Sequence, residues 1–410
     1  MMRCVWFAAP MALAVLVLNV RAMAAQPLAK VQVAAGKFDR TDTPVSVLLQ
    51  GIGDGEKPLL LEEVSGGDIT PVPSQVEPGA APRLWWVLAG KTAAGALRNF
   101  QVSEGAGPEA PKVEVRAGPD AVEIAWGDAK VLNYHCGVVA QPDGVDRKFA
   151  RSGYIHPAWT PAGLVATDDF PADHRHQRGI FMAWTKTEFD GRHPDFWNIG
   201  SGSATVRFKS LGPTAGGPVY GGFQVNQEYV DLAAPGGERV VLNEVLEVRV
   251  WRVGGPGKGH WLWDFTSRQR CAGAGPLKLP RYHYGGLGYR GPPEWMANCR
   301  MLTSEGKTRA DGNETKGRWC EVSGAFGDRP AGVLILSHPQ NFRHPEPLRL
   351  NPQQPQVCFA PSQEGEWTIE PGRDYVWRYR FSVHDGAMKA EEADRLWADF
   401  GEPPVVRVLK

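Results

Sequence analysis

Trp377-Arg378-Tyr379-Arg380-Phe381-Ser382-Val383-His384 is the stretch that decides the fold class. Bulky apolar side chains alternate with polar ones, the period of two of a β-strand that turns one face to a core. Further back, Ala204, Val206 and Phe208 alternate in the same way with Thr205, Arg207 and Lys209. The run from Arg239 to Trp251 reads as a long strand, apolar on much of both faces. Shorter runs at 45–50, 59–64, 84–88, 113–116, 122–126, 261–266 and 333–336 are separated by Gly and Pro at turn positions. The expected class is all-β. One helix is expected over 389–400, where Ala393, Leu396, Trp397 and Phe400 fall at helical spacing before Gly401 and Pro403. Its apolar stripe should pack on the outside of the sheets.

The N-terminus carries Arg3 ahead of an apolar run from Val5 to Val20, then Ala22-Met23-Ala24, the small-x-small pattern of a cleaved signal peptide. The run is shorter than the ~20 residues of a spanning helix, and no later stretch is apolar enough to cross a bilayer. The expectation is a periplasmic or secreted protein with no membrane insertion. Cleavage after Ala24 lowers the 45 Lys+Arg by two against an unchanged 45 Asp+Glu, for a net charge of −2. So balanced a chain offers no electrostatic reason to bind nucleic acid or anionic lipid. Cys136, Cys271, Cys299, Cys320 and Cys358 would remain, an odd number at wide spacing and no disulfide scaffold. A single bridge, such as Cys299 to Cys320, stays open.

Gly105–Pro111, reading GAGPEAP, has no large apolar side chain and reads as a linker. The expected division is 1–24 signal peptide, 25–104 small N-terminal β module, 105–111 linker and 112–410 main domain. The alternative is a surface loop within one domain. From Gly137 to Gly179 the chain is rich in Pro, Gly and charge, yet it holds Trp159, Phe170 and three histidines. A long interruption of that composition points to function rather than disorder.

The sharpest local pattern follows: Asp173-His174-Arg175-His176-Gln177-Arg178-Gly179, leading into Ile180-Phe181-Met182-Ala183-Trp184. If the chain is already extended there, His174, His176 and Arg178 share one side. His156 lies upstream, Trp197 downstream, and Arg281-Tyr282-His283-Tyr284 with Gly285, Gly286 and Gly288 forms a second cluster where a ligand could approach closely. Three readings compete. His156, His174 and His176 could hold a divalent metal such as zinc. Without metal, His174 or His176 could move protons while Arg178 fixes a hydroxyl or an oxyanion. Or the histidines simply tie a large loop together. His338, His344 and His384, near turns at strand ends, read as structural. No phosphate loop follows the glycines, and no Gly-x-Ser-x-Gly elbow occurs.

Several motifs occur in an order that resembles an uncharacterised exported family carrying the label "methane oxygenase PmoA". They are Tyr154-Ile155-His156-Pro157, the Asp173–Phe181 run, Asp195-Phe196-Trp197, Gly285–Arg290, Ser337-His338-Pro339-Gln340-Asn341 and Tyr379–Gly386. The match spans roughly 125–400. A methane monooxygenase subunit would be an integral membrane protein, and this chain has no spanning segment after residue 24. What the resemblance implies instead is an exported protein of glycan-degrading bacteria. A weaker likeness, at Ile369–Tyr379, is to the galactose-mutarotase-like supersandwich, two large antiparallel sheets packed face to face. Mutarotases carry a catalytic Glu just after Cys-Leu in a late strand. Here Val357-Cys358-Phe359-Ala360 has Ala in that place, so the likeness implies the fold without the chemistry.

Together these readings predict a β-supersandwich with a sugar-sized cleft. The expected function is an exported carbohydrate-active enzyme that cleaves a glycan or sugar derivative by hydrolysis or elimination, with or without a metal. His174, His176, Arg178 and His283 are the expected catalytic residues; His156, Asp173, Trp197, Arg281 and Tyr284 are expected to bind the carbohydrate. The alternative is a non-catalytic glycan-binding protein, recognised by exposed aromatics on a shallow face.

Overall fold

The structure, a computed structural model, describes residues 26–53 and 56–409. The expected signal peptide lies outside the described residues. Where strand alternation was legible, strands form, and the chain is mostly β with one α-helix among the described residues, Ala390–Gly401.

Two large antiparallel sheets build the body. The first has eight strands, in the order Ala204–Ala215, Tyr220–Asp231, Arg239–Gly255, His260–Cys271, Tyr375–Asp385, Arg329–Ser337, Trp319–Phe326 and Arg300–Thr303. The second has nine, and its central strands run Glu346–Leu350, Gln356–Phe359, Gly286–Arg290, Ile180–Ala183 and Ile155–Ala158. Trp377, Tyr379, Phe381 and Val383 all enter the shared core, where they meet Leu287, Phe359 and Ile180 of the second sheet. Polar cross-links span the same core. The Tyr229 hydroxyl donates to the Met182 carbonyl at 2.9 Å, and the Trp184 indole donates to Gln269 Oε1 at 2.7 Å.

The eight-stranded sheet is buried on its other face too. Along Arg329–Ser337, Val333 and Ile335 point into the main core, while Leu334 and Leu336 pack beneath Ala393, Leu396 and Trp397 of the helix. That two-sided burial is why this strand reads as an unbroken apolar run.

Residues 29–104 form a smaller unit of two sheets around their own core, which holds Val31, Val33, Val47, Leu61, Trp86 and Phe100. The last strand of the chain, Val405–Leu409, pairs antiparallel with Ala29–Ala34 of this unit. Arg40 is buried against Asp399 of the helix at 3.1 Å. All five described cysteines are free thiols, Cys299 and Cys320 included.

Candidate functional site

Residues far apart in sequence meet on the second sheet because of its strand order. Phe181 pairs with Gly288, Gly288 with Cys358, and Cys358 with Arg349. Directly opposed residues in an antiparallel ladder share a face. The neighbouring row Met182, Leu287, Phe359 and Leu348 is the one turned to the core. The first row therefore faces away from the eight-stranded sheet, and over it lies a cleft of about 250 Å³.

The wall on one side is the turn that carries His174 and His176. The Gln177 N–H donates to the His174 carbonyl at 2.9 Å, so the chain turns here and is not extended. Both imidazoles still line the cleft, 5.6 Å apart and edge to face. The opposite wall is His283 and Tyr284, which precede the strand that begins at Gly286. Arg349, Asn351 and Gln356 complete the lining together with Trp197 and Asn198.

Each ring is held in a different way. The Gln354 amide nitrogen, a donor, stands 2.7 Å from His174 Nδ1, which makes Nδ1 the acceptor and leaves the proton on Nε2. Neither ring nitrogen of His176 has a hydrogen-bond partner among the described residues. Burial, reinforced by the neighbouring His174, pushes the His176 pKa down to about 4, so the ring is neutral at physiological pH. Burial also raises the Tyr284 phenol well above its ordinary value, which keeps its proton on.

Asp195 organises the floor. Its Oδ1 accepts the backbone N–H groups of Trp197 and Asn198 at 3.1 and 2.9 Å. Asn198 Nδ2 then donates to Asp195 Oδ2 at 2.8 Å and to the Tyr284 hydroxyl at 2.9 Å. Trp197 is only 2 % exposed, wedged beside Phe181 and Tyr284. It lines the floor and offers little open ring face to a sugar. A Cβ at Gly288 would come within 2.6 Å of its ring, so a side chain there would force the ring to shift.

Four expected site residues lie elsewhere. Arg178 is fully buried and ion-paired with Asp169, donates to the Phe149 carbonyl at 2.9 Å and bonds the Tyr154 hydroxyl. Same-side spacing with His174 and His176 fails because it presumes a strand where a turn forms. His156 Nδ1 contacts Thr167 Oγ1 at 2.9 Å, away from the cleft. Asp173 is tied to Arg290 at 2.9 Å. Arg281 is exposed, bonds the Gln363 carbonyl at 3.0 Å and borders a neighbouring hollow with Lys186 and His193. Among the described residues no group of three His, Cys, Asp or Glu is placed to hold a metal. The set of His156, His174 and His176 is not assembled, since His156 is held on another part of the loop. His174, His176 and His283 line one cleft, yet they too are not grouped closely enough to hold an ion. Arg349, Asn351, Gln356 and Asn198 were missed in the sequence. Strand pairing brings the first three in, and Asn198 sits directly after the Asp195-Phe196-Trp197 motif.

A larger cleft, about 530 Å³, lies at the junction with the N-terminal unit and contains none of these residues. No helix among the described residues is long and apolar enough to cross a membrane.

Comparison with curated proteins returned no match. Among solved structures, a glycosyl hydrolase family 38 protein from Enterococcus faecalis aligns at TM-score 0.43 and 10% identity, over 93% of this chain and 48% of that one. An alpha-mannosidase from Enterococcus faecalis V583 aligns at 0.45 and 10%, over 93% and 46%. Heparan sulfate lyase HepC from Pedobacter heparinus aligns at 0.29 and 10%, over 66% and 34%. The chain thus spans about half or less of the length of these proteins, and such scores leave its function to be argued from its own site. The sequence profile of one family matches residues 121–398, and its description carries no methane-oxygenase label. The chain belongs to that family, DUF6807, a family of unknown function.

Proposed function

We propose that this is an exported carbohydrate-active enzyme and that the cleft over Gly288 cleaves a uronic-acid-containing glycan by elimination. The observation that carries the reading is the convergence of His174, His176 and His283 with Tyr284 and Arg349 on one cleft, which no Asp or Glu lines. Hydrolysis of a glycosidic bond ordinarily uses two carboxyl groups flanking it. Asp195, the nearest organising acid, is occupied by Trp197, Asn198 and Thr185. Elimination needs a different set: a neutral base, a proton donor and a group that stabilises charge on a carboxylate.

The residues present fit those roles. His176, neutral and without a protein partner, takes the proton on the carbon next to the uronate carboxylate. Arg349, with the Gln356 amide, stabilises the negative charge that moves onto that carboxylate. The carbon–oxygen bond to the leaving sugar breaks as the carbon–carbon double bond forms, and Tyr284 protonates the departing oxygen. His174, with its proton on Nε2, donates to a sugar hydroxyl, and His283 closes the opposite side. No metal enters these steps. A non-catalytic glycan binder would carry exposed aromatics, and the 2 % exposed Trp197 is a poor one.

Products distinguish the mechanisms. Incubation with polygalacturonate, alginate and hyaluronan should release ends that absorb in the ultraviolet through the new double bond. New reducing ends without that absorbance would mean hydrolysis and overturn the elimination. For export, sequencing protein from the native envelope should find Ala25 or Gln26 first; an intact Met1 would contradict it.

A further inference from the structure

The cleft at the junction of the N-terminal unit and the sandwich has the build of a second ligand site. Its walls are mostly apolar, with Val72 and Val87 on the N-terminal side and Trp126 and Val219 on the sandwich side. At about 530 Å³ it falls within the ~300–1,000 Å³ typical of small-molecule sites, which favour domain junctions.

The polar groups in it are unbalanced. Arg252 is half-buried, and among the described residues its side chain has neither an ion pair nor a hydrogen bond. Its Nε is sealed from solvent with no acceptor. Burial alone pulls the Arg252 pKa down, with no nearby acid to oppose it. Lys258, exposed beside it, is also unpaired among the described residues. The acid that lines the cleft, Asp42, already accepts the Gly90 N–H at 2.7 Å. A guanidinium withdrawn from water without a counter-charge is unfavourable, and proteins ordinarily complete such groups. The Trp126 ring, whose centroid is 6.0 Å from the guanidinium carbon, adds a flat apolar surface beside the charge.

We propose that this cleft binds a small carboxylate with a ring body, the carboxylate taken by the two terminal nitrogens of Arg252 and the ring packed against Trp126 and Val87. A planar fork of donors matches a carboxylate with two parallel hydrogen bonds. Lys258 at the rim adds attraction that salt weakens. The site shares no residue with the cleft over Gly288, so it stands or falls independently of the elimination reading.

Saturation-transfer NMR on the full chain, with benzoate and cyclohexanecarboxylate as probes and benzamide as the neutral counterpart, tests this. Both carboxylates should bind saturably, and benzamide roughly tenfold or more weaker, as expected for loss of a charge-assisted pair. Arg252→Met should weaken the carboxylates by a similar factor, and His176→Ala should leave them unchanged. If Arg252→Met fails to fold, Lys258→Met on the exposed rim should still weaken benzoate and reduce its salt dependence. Absence of saturable binding of either carboxylate, equal binding of benzamide, or loss of binding in His176→Ala would overturn the proposal.

Discussion

The buried Arg178 guanidinium pairs with the part-buried carboxylate of Asp169, in the loop that carries His174 and His176. The guanidinium also lies over the Phe170 ring, 3.4 Å from its centroid, and reaches the Phe149 carbonyl and the Tyr154 hydroxyl. One side chain therefore fastens three parts of the 137–179 loop. Arg178 does not line the cleft; it holds the loop that bears two of the residues that do.

Arg178→Met should accordingly be a stability variant. Removing the guanidinium leaves the part-buried Asp169 and the Phe149 carbonyl without their partner, a loss of ~1–3 kcal/mol. The melting temperature should fall by many degrees, measured by calorimetry. A melt close to wild type with altered ligand affinity would instead place Arg178 in ligand contact.

Gly288→Ala offers a packing test. The added methyl would sit 2.6 Å from the Trp197 ring and 3.1 Å from that of Phe181. Overpacking of this kind costs ~1–3 kcal/mol, and Trp197 would have to move into the cleft. Reduced stability with a raised KM is expected from thermal melts and steady-state kinetics; unchanged values for both would mean that the floor is looser than described.

Much of the fold was legible because alternation reports directly on which side of a strand is buried. Trp377, Tyr379, Phe381 and Val383 all fall in the core as their spacing requires. His174, His176, His283 and Tyr284 were legible as candidates because imidazoles and phenols gathered around a loop are uncommon without a use, and they line one cleft. Arg178 misled because a period of two holds only in a strand, and the Gln177–His174 hydrogen bond makes a turn there. Arg349 and Gln356 had no local signal. Their place is set by strand order, a long-range property that the pattern of each strand does not encode.

The role of the N-terminal unit can be tested by truncation. A chain starting at residue 112 keeps the main core but leaves Asp399 without Arg40 and Val405–Leu409 without its partner strand. It should melt cooperatively at a lower temperature than the full chain. An insoluble product, or one that binds hydrophobic dye like a molten state, would show that the two cores fold as a unit.

The pH response follows from His176. Its folded pKa of about 4 lies below the ordinary 6.5, so the unfolded chain binds more protons between those values. This residue's contribution to stability is therefore complete above pH 6.5 and is lost as pH falls towards 4. Glu244 and Glu346, fully buried with pKa values raised to about 7 from 4.5, act in the opposite sense. Their contribution is complete below 4.5 and is lost as pH rises through 7. In kinetics, the acid limb of kcat/KM for a neutral His176 base should fall near pH 4. A limb at the ordinary imidazole value would contradict the neutral, desolvated ring.

The most direct measurement compares wild type with His176→Ala for release of ultraviolet-absorbing uronide from polygalacturonate, alginate and hyaluronan. The account predicts that wild type acts on at least one of them. It predicts a loss of ~10²–10⁴-fold in His176→Ala, the usual contribution of a general base, with a melting temperature close to wild type. Wild type inert on all three polymers, or a His176→Ala variant that cleaves as fast as wild type, would contradict it.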